Sequence, residues 1–256
     1  MCCKYTEDVN EIAAGFTDGT IRVFSCNTGS CKHTLVDDEC RSYPGPVTAI
    51  KHRPVSKANP ITNMVLSSYV NGCIKCWKYK YNQCLYTIRE KRQTLGLNYH
   101  PRYSKFVTYG DDAKLNMYDE EVQTQERAFY SSQTKNVVDG HSSRIFACAF
   151  NPRSQHEMIS GGWDNTVMCW DDRQPYATRH FVGVHMCGEG LDFDKPGRQA
   201  KCSIRNNQGG IYAFDFGTIR RKPRKVPETY KKISEIPNVP RVSFVTGKRL
   251  QTVDFG

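Results

Sequence analysis

Several features are missing from this chain of 256 residues. No apolar run approaches the ~18 residues of a membrane-crossing helix. The opening residues, Met1-Cys2-Cys3-Lys4-Tyr5-Thr6-Glu7, hold no apolar stretch of signal-peptide length, which disfavours secretion as well as membrane spanning. No useful window repeats apolar residues at the 3.6 period, so helices are not expected. A Gly-rich phosphate loop, a Gly-x-Ser-x-Gly elbow and a His-rich metal motif are all absent. Phosphate-loop, serine-hydrolase and metal chemistry thus lack their usual signals, and no catalytic residue, cofactor or metal ligand is expected. Hydrophobic residues at 38% and charged residues at 24% exclude the opposite extreme, a disordered chain.

Cysteine is plentiful, at 12 residues. Without a signal peptide these read as reduced thiols of the cytoplasm or nucleus. Cys73 and Cys76 have the spacing of a zinc knuckle, but they lie in an alternating run, Cys73-Ile74-Lys75-Cys76-Trp77. Residues three apart on a strand face opposite sides and cannot chelate one ion. Cys26 and Cys31 flank Asn27-Thr28-Gly29-Ser30, which reads as a hairpin turn. Charge is unevenly placed. Of the net +10, residues 201–256 carry +8, from 12 basic and 4 acidic side chains. The densest cluster is Arg220, Arg221, Lys222, Arg224 and Lys225. Such a run reads as a solvated loop, a nuclear localisation signal or a nucleic-acid contact.

Internal repetition is the strongest signal. Asp18-Gly19-Thr20-Ile21-Arg22-Val23-Phe24 recurs as Asn71-Gly72-Cys73-Ile74-Lys75-Cys76-Trp77 and Asp112-Ala113-Lys114-Leu115-Asn116-Met117-Tyr118. Two further copies are Asp164-Asn165-Thr166-Val167-Met168-Cys169-Trp170 and Gln208-Gly209-Gly210-Ile211-Tyr212-Ala213-Phe214. A polar turn residue is followed by an aliphatic three later and an aromatic six later. That pattern is a β-hairpin whose second strand is apolar on both faces. Upstream strands are expected at 12–16, 64–68, 105–109, 158–162 and 202–204. Opening strands that run to a proline are expected at 47–54, 94–101 and 145–152, and outer strands at 84–88 and 177–182. Gly247, Leu250 and Val253 fill the slots of a faint sixth copy. Four strands per ~40–45 residues is the period of a propeller blade.

The fourth copy resembles the WD40-repeat family through Gly140-His141, Phe150-Asn151-Pro152, Ile159-Ser160-Gly161-Gly162-Trp163-Asp164 and Trp170-Asp171. The resemblance implies an all-β, WD40-type β-propeller over 1–217, with five clear repeats and a weak sixth, and leaves open whether the ring is complete. A basic segment, 218–256, follows, with the option of a degenerate last blade. Residues 1–5 resemble the opening strand of a blade, while the last copy shows no outer strand. The family's buried network of His, Ser or Thr, Asp and Trp is matched by His141, Asp164 and Trp170, with His185 in the fifth copy. Gly162 occupies the expected serine place, so the network is expected to be incomplete, with Ser160 a partial substitute. The His–Asp pair is read as structural because a nucleophile partner is lacking.

The resemblance implies a binding platform rather than an enzyme. Family members often make partner contacts just before the turn Asp and just before the first strand's aliphatic. Those places are Trp163 and Arg144 here, and Asp111 and Asn207 in other copies. Trp170-Asp171-Asp172-Arg173 resembles the WDxR box of receptors that dock on the adaptor of cullin–RING ubiquitin ligases, with Asp171 and Arg173 as the charged contacts. The alternative is a nucleic-acid or ribonucleoprotein-associated propeller that uses the basic segment. A membrane partner is not expected.

Overall fold

A computed structural model describes residues 2–56, 60–132, 134, 137–184, 186, 188–193, 199–204, 210–215, 231–232, 242–246 and 249–253. From Gln199 onward it is described by backbone pairing alone. His185, Asn207 and the basic residues Arg220, Arg221, Lys222, Arg224 and Lys225 lie outside the described residues.

The chain folds into antiparallel four-stranded sheets, each built from consecutive strands. Blade 1 holds β1 (Cys2–Tyr5), β2 (Glu11–Gly15), β3 (Ile21–Ser25) and β4 (Cys31–Leu35). Blade 2 holds β5 (Val47–Lys51), β6 (Met64–Tyr69), β7 (Cys73–Lys78) and β8 (Gln83–Arg89). Blade 3 holds β9 (Thr94–Tyr99), β10 (Lys105–Gly110), β11 (Leu115–Asp119) and β12 (Thr124–Phe129). Blade 4 holds β13 (Ile145–Phe150), β14 (Glu157–Gly162), β15 (Thr166–Asp171) and β16 (Arg179–Val182). Blade 5 holds β17 (Leu191–Phe193), β18 (Gln199–Ile204), β19 (Gly210–Asp215) and β20 (Lys231–Lys232). A two-stranded hairpin of β21 (Val242–Thr246) and β22 (Arg249–Val253) follows. This is the all-β, WD40-type propeller architecture, and among the described residues the ring does not close.

The repeated turn residues act through one device. Asp18, Asn71, Asp112 and Asp164 each accept, on the side-chain oxygen, the backbone N–H two residues on. The next residue is left-handed in every case: Gly19 at φ 81°, Gly72 at 88°, Ala113 at 62° and Asn165 at 60°. A short polar side chain closes the turn, and glycine or asparagine tolerates positive φ. Ala113 does not, and its turn is strained.

The cores lie between blades. Ala13, Ile21, Val23 and Leu35 of blade 1 pack on Val65, Tyr69, Cys73 and Trp77 of blade 2. Leu66, Ile74 and Cys76 pack on Leu97, Phe106 and Tyr118 of blade 3. Tyr109, Met117 and Phe129 pack on Met158, Met168 and Trp170 of blade 4. The middle strands of blade 2 are therefore buried on both faces, and Cys73 and Cys76 do point into different cores.

Three details differ from the sequence expectation. Among the described residues there is one α-helical turn, α1 (Asp38–Ser42), capped by Asp37, whose carboxylate accepts the Cys40 N–H at 2.8 Å, and one 3-10 turn at Tyr79–Tyr81. Outer strands β4 and β12 went unseen because both are mostly exposed and polar, so they lack the apolar signal. The fifth sheet has a short outer strand that the sequence reading did not name, the two-residue β20.

Candidate interaction surface

Blades 2, 3 and 4 each carry a polar network under the turn, and the networks differ chemically. In blade 4, His141 Nδ1 lies 2.8 Å from Asp164 Oδ2, and His141 Nε2 lies 2.7 Å from the Ser160 hydroxyl. The Trp170 indole N–H donates to the same hydroxyl at 2.7 Å. One tautomer satisfies all three contacts: Nδ1–H donates to Asp164, and Nε2 accepts the Ser160 proton. Thr166 Oγ1 and the Ser142 N–H also bind Asp164, at 2.7 and 2.9 Å. Burial pushes the Asp164 carboxyl up, but these donors outweigh it and hold it below the usual range.

Two sequence expectations are corrected here. The network is complete, with Ser160 in full use and Gly162 excluded from it. A Cβ on Gly162 would stand 2.9 Å from His141 Nδ1 and 2.9 Å from the Arg144 carbonyl, so no serine fits there. The His–Asp pair does have a hydroxyl partner, so Ser160, His141 and Asp164 form a Ser–His–Asp line. Ser160 is 0% exposed and already accepts the indole N–H. A nucleophile must reach its substrate, so burial, not the lack of a hydroxyl, keeps this line structural.

Blade 2 keeps the Ser–Trp part. Trp77 Nε1–H donates to Ser67 Oγ at 3.0 Å. Beside it, the buried Lys75 ammonium meets Asp37 at 2.6 Å and Glu39 at 2.5 Å, and Arg89 meets Glu39 at 2.9 Å. These pairs tie α1 to the sheet. Blade 3 replaces histidine with an ion pair, Glu90 and Arg92, whose side chains are 2% and 4% exposed. Glu90 accepts from Thr94, Thr108, Asn116 and Tyr118 at 2.6–2.9 Å, and Arg92 reaches Asp112 at 2.7 Å. Neither cluster was visible in the sequence. Glu90 and Arg92 sit in a linker of mixed charge, and only the fold brings them under the turn.

The contact residues expected from the repeat surround the blade 4 turn. Trp163 is 49% exposed, its N–H donates to the Arg144 carbonyl at 2.8 Å, and its ring lies 5.6 Å from Phe146. Arg144 is exposed. Trp163, Arg144 and Phe146 thus lie close together, and Trp and Arg are residue types that dominate interface energies. Asp111 takes the equivalent place in blade 3, where its carboxylate accepts the Gln93 N–H at 3.1 Å. At the far end of β15, Arg173 and Asp171 bind one another through two contacts, at 2.8 and 2.5 Å. The Arg173 hydrogen bonds hold the Asp171 carboxyl below its usual range against burial.

No group of side chains that could hold a metal ion occurs among the described residues. No helix among them is long and apolar enough to cross a membrane.

The description of the WD domain, G-beta repeat, matches residues 132–171, the span that contains His141, Ser160, Asp164 and Trp170. The Periodic tryptophan protein 2 homolog of Dictyostelium discoideum is 27% identical over 198 residues, 75% of this chain and 19% of that protein. The Ribosome biogenesis protein WDR12 homolog of Anopheles gambiae is 24% identical over 186 residues, 69% of this chain and 42% of that protein. Cilia- and flagella-associated protein 52 of Chlamydomonas reinhardtii is 24% identical over 257 residues, 84% of this chain and 39% of that protein. The chain therefore spans 19–42% of the length of these relatives. Its Asp-turned four-stranded sheets, its His141–Ser160–Trp170 network and these likenesses support a WD40-repeat protein.

Proposed function

We propose that this chain is a non-enzymatic WD40 scaffold in a complex that assembles ribonucleoprotein, acting in the nucleus or nucleolus. The observation that carries this reading is the likeness to a ribosome biogenesis protein across 69% of the chain. The charge distribution agrees with it, since residues 201–256 carry +8 of the net +10. The division of labour follows from the chemistry. Blades stiffened by buried networks present Trp163, Arg144 and Asp111 to protein partners at little ordering cost. Asn207 is the matching place in the fifth copy. Arg220, Arg221, Lys222, Arg224 and Lys225 attract phosphate without reading sequence. A scaffold needs no turnover, and the one triad-like line is sealed.

Docking on a cullin–RING ligase adaptor through Asp171 and Arg173 ranks below this reading. The two charged groups are spent on one another, so a partner must first break a bidentate pair.

The test is sedimentation of the tagged full chain from nuclear extract, before and after ribonuclease. Sedimentation with large particles that collapses after ribonuclease is expected, and charge reversal at the five basic residues is expected to mimic ribonuclease. A chain that sediments as free protein from the start overturns the reading. Co-purification of the ligase adaptor that Arg173→Glu alone abolishes would put the docking reading in its place.

A further inference from the structure

Exposed apolar side chains gather at one end of blades 1 to 3. The turns that join the first strand to the second, and the third to the fourth, lie at that end, opposite the Asp-closed or Asn-closed turn. Val9, Val55, Ile61, Tyr81 and Val122 sit in these turns, and all five are exposed. Contacts between blades join the turns into one floor. The buried Glu7 carboxylate accepts the Thr62 N–H at 2.8 Å, the Thr62 hydroxyl at 2.9 Å and the Asn63 N–H at 2.6 Å. That draws the turn of Val9 to the loop of Ile61. The Asn63 carbonyl accepts the Tyr79 N–H at 3.1 Å and brings in the turn that carries Tyr81. The Arg53 guanidinium meets Glu120 at 2.7 Å, which ties the loop of Val55 to the turn of Val122. Contiguous exposed apolar surface of this kind marks an interaction site.

Val9 adds an independent sign. Its φ is 62°, a region that a β-branched residue avoids because its Cβ crowds the backbone. Its own turn holds it there. The Val9 N–H donates to the Thr6 carbonyl at 3.0 Å, and Asp8 accepts the Thr6 hydroxyl at 2.7 Å and the Asn10 side-chain amide at 3.2 Å. The side chain is 63% exposed, so within one chain little burial offsets the strain. Strain that the surrounding structure enforces points to a residue with a use.

The two ends of the floor carry opposite charge. At the end shared by blades 1 and 2, the Lys78 ammonium lies 5.1 Å from the centre of the Tyr81 ring. Lys80 is exposed there, and its ammonium makes no hydrogen bond or ion pair among the described residues. Asp8, the acid beside it, is engaged by Thr6 and Asn10. At the blade 3 end, Glu121 is exposed and its carboxylate is likewise unpaired among the described residues. Asp119 is taken up by the Glu121 and Val122 N–H groups. An apolar middle between an unpaired cation and an unpaired anion is complementary to its own copy across a two-fold axis. A partner of one charge sign would satisfy only one end.

We propose that this floor is a self-association surface on which a second copy of the chain packs as a two-fold dimer. Val9, Ile61 and Tyr81 of each copy meet Val55 and Val122 of the other, and Lys80 of each copy faces Glu121 of the other. The dimer goes beyond the ribonucleoprotein reading and does not depend on it. The opposite end of the blades, with Trp163, Arg144 and Asp111, stays open to other partners.

Sedimentation equilibrium of the full chain across the micromolar range tests this. The unsubstituted chain is expected to pass from a one-chain to a two-chain mass as its concentration rises. Glu121→Lys and Lys80→Glu each set like charges opposite one another, and each is expected to weaken the dimer about tenfold or more. Both substitutions on one chain restore opposite charges across the interface and are expected to bring the dimer back to within about threefold of its original strength. Val9→Gly removes the apolar contact and the strain together. It is expected to weaken the dimer about tenfold, while the urea midpoint of the single chain holds or rises. A one-chain mass at every concentration overturns the proposal and leaves the floor to a different protein. A mass that climbs beyond two chains overturns it too, as does association that the single charge reversals leave unchanged or that the double reversal fails to restore.

Discussion

Two hydrogen bonds converge on the Ser160 hydroxyl, one to His141 and one from Trp170, and both are fully buried. Ser160→Ala strands the indole N–H and the imidazole nitrogen together, so a cost of about 1–3 kcal/mol is expected. Ser160→Ala with Trp170→Phe reproduces the residues that blade 1 has at the same places counted from its turn, Ala14 and Phe24, and is expected to cost less than the two single losses summed. A double-mutant cycle by urea denaturation reads the difference, and strict additivity would show that the hydroxyl and the indole are not coupled. Ala113 gives the opposite sign. Its φ of 62° is one that only glycine or asparagine adopts cheaply, so Ala113→Gly is expected to stabilise by about 0.5–1 kcal/mol, seen as a raised urea midpoint. A lowered midpoint would mean that the turn is not strained.

At the scale of the element, the paired turn networks set how the blades respond to acid. The Asp164 and Glu90 carboxyls sit below their usual ranges because histidine, arginine and hydroxyl donors outweigh burial. Asp37 and Glu39 are likewise lowered by Lys75, against burial. A depressed folded-state pKa adds stability above the unfolded value, and that stability is lost as pH falls through the folded one. The ordinary values here are 3.8 for aspartate and 4.5 for glutamate. Urea midpoints are therefore expected to hold from pH 7 to about pH 5 and to drop steeply below about pH 4. A flat profile down to pH 3 would contradict the paired geometry. In blade 3, Arg92→Met leaves the buried Glu90 charge without its cation and is expected to cost about 3–5 kcal/mol, with Glu90→Gln on the same chain recovering part of it.

For the whole molecule, charge and core are segregated. Residues 1–200 are nearly neutral at +2, whereas residues 201–256 carry +8. Binding to single-stranded RNA is therefore expected to weaken steeply with salt, and neutralising Arg220, Arg221, Lys222, Arg224 and Lys225 is expected to flatten the logarithmic salt slope by up to roughly 3.5. An unchanged slope would place the phosphate contacts elsewhere. Blade cores form only between neighbouring sheets, so each substitution above is expected to act on two adjacent blades.

The local part of this structure was written in the sequence. Asp or Asn followed by Gly, Ala or Asn, with an aliphatic three later and an aromatic six later, specifies a hairpin by turn chemistry and strand period alone, and every such hairpin in the described residues forms. What depended on contacts between distant residues could not be read this way. Gly162 looked like a missing serine until the position of His141 showed that a Cβ has no room there. Glu90 with Arg92, and Lys75 with Asp37 and Glu39, are ordinary charged residues in the sequence and become buried pairs only when a linker is laid under a neighbouring turn. The half-buried set on β2 and β3 of blade 1 is an alternation like any other, and only the fold shows that none of the core clusters of the described residues includes it. The sequence determined the turn-centred hairpins and how their strands pair, because those interactions span few residues. Tertiary structure decided which faces are covered and which charges meet, because burial depends on the neighbouring blade.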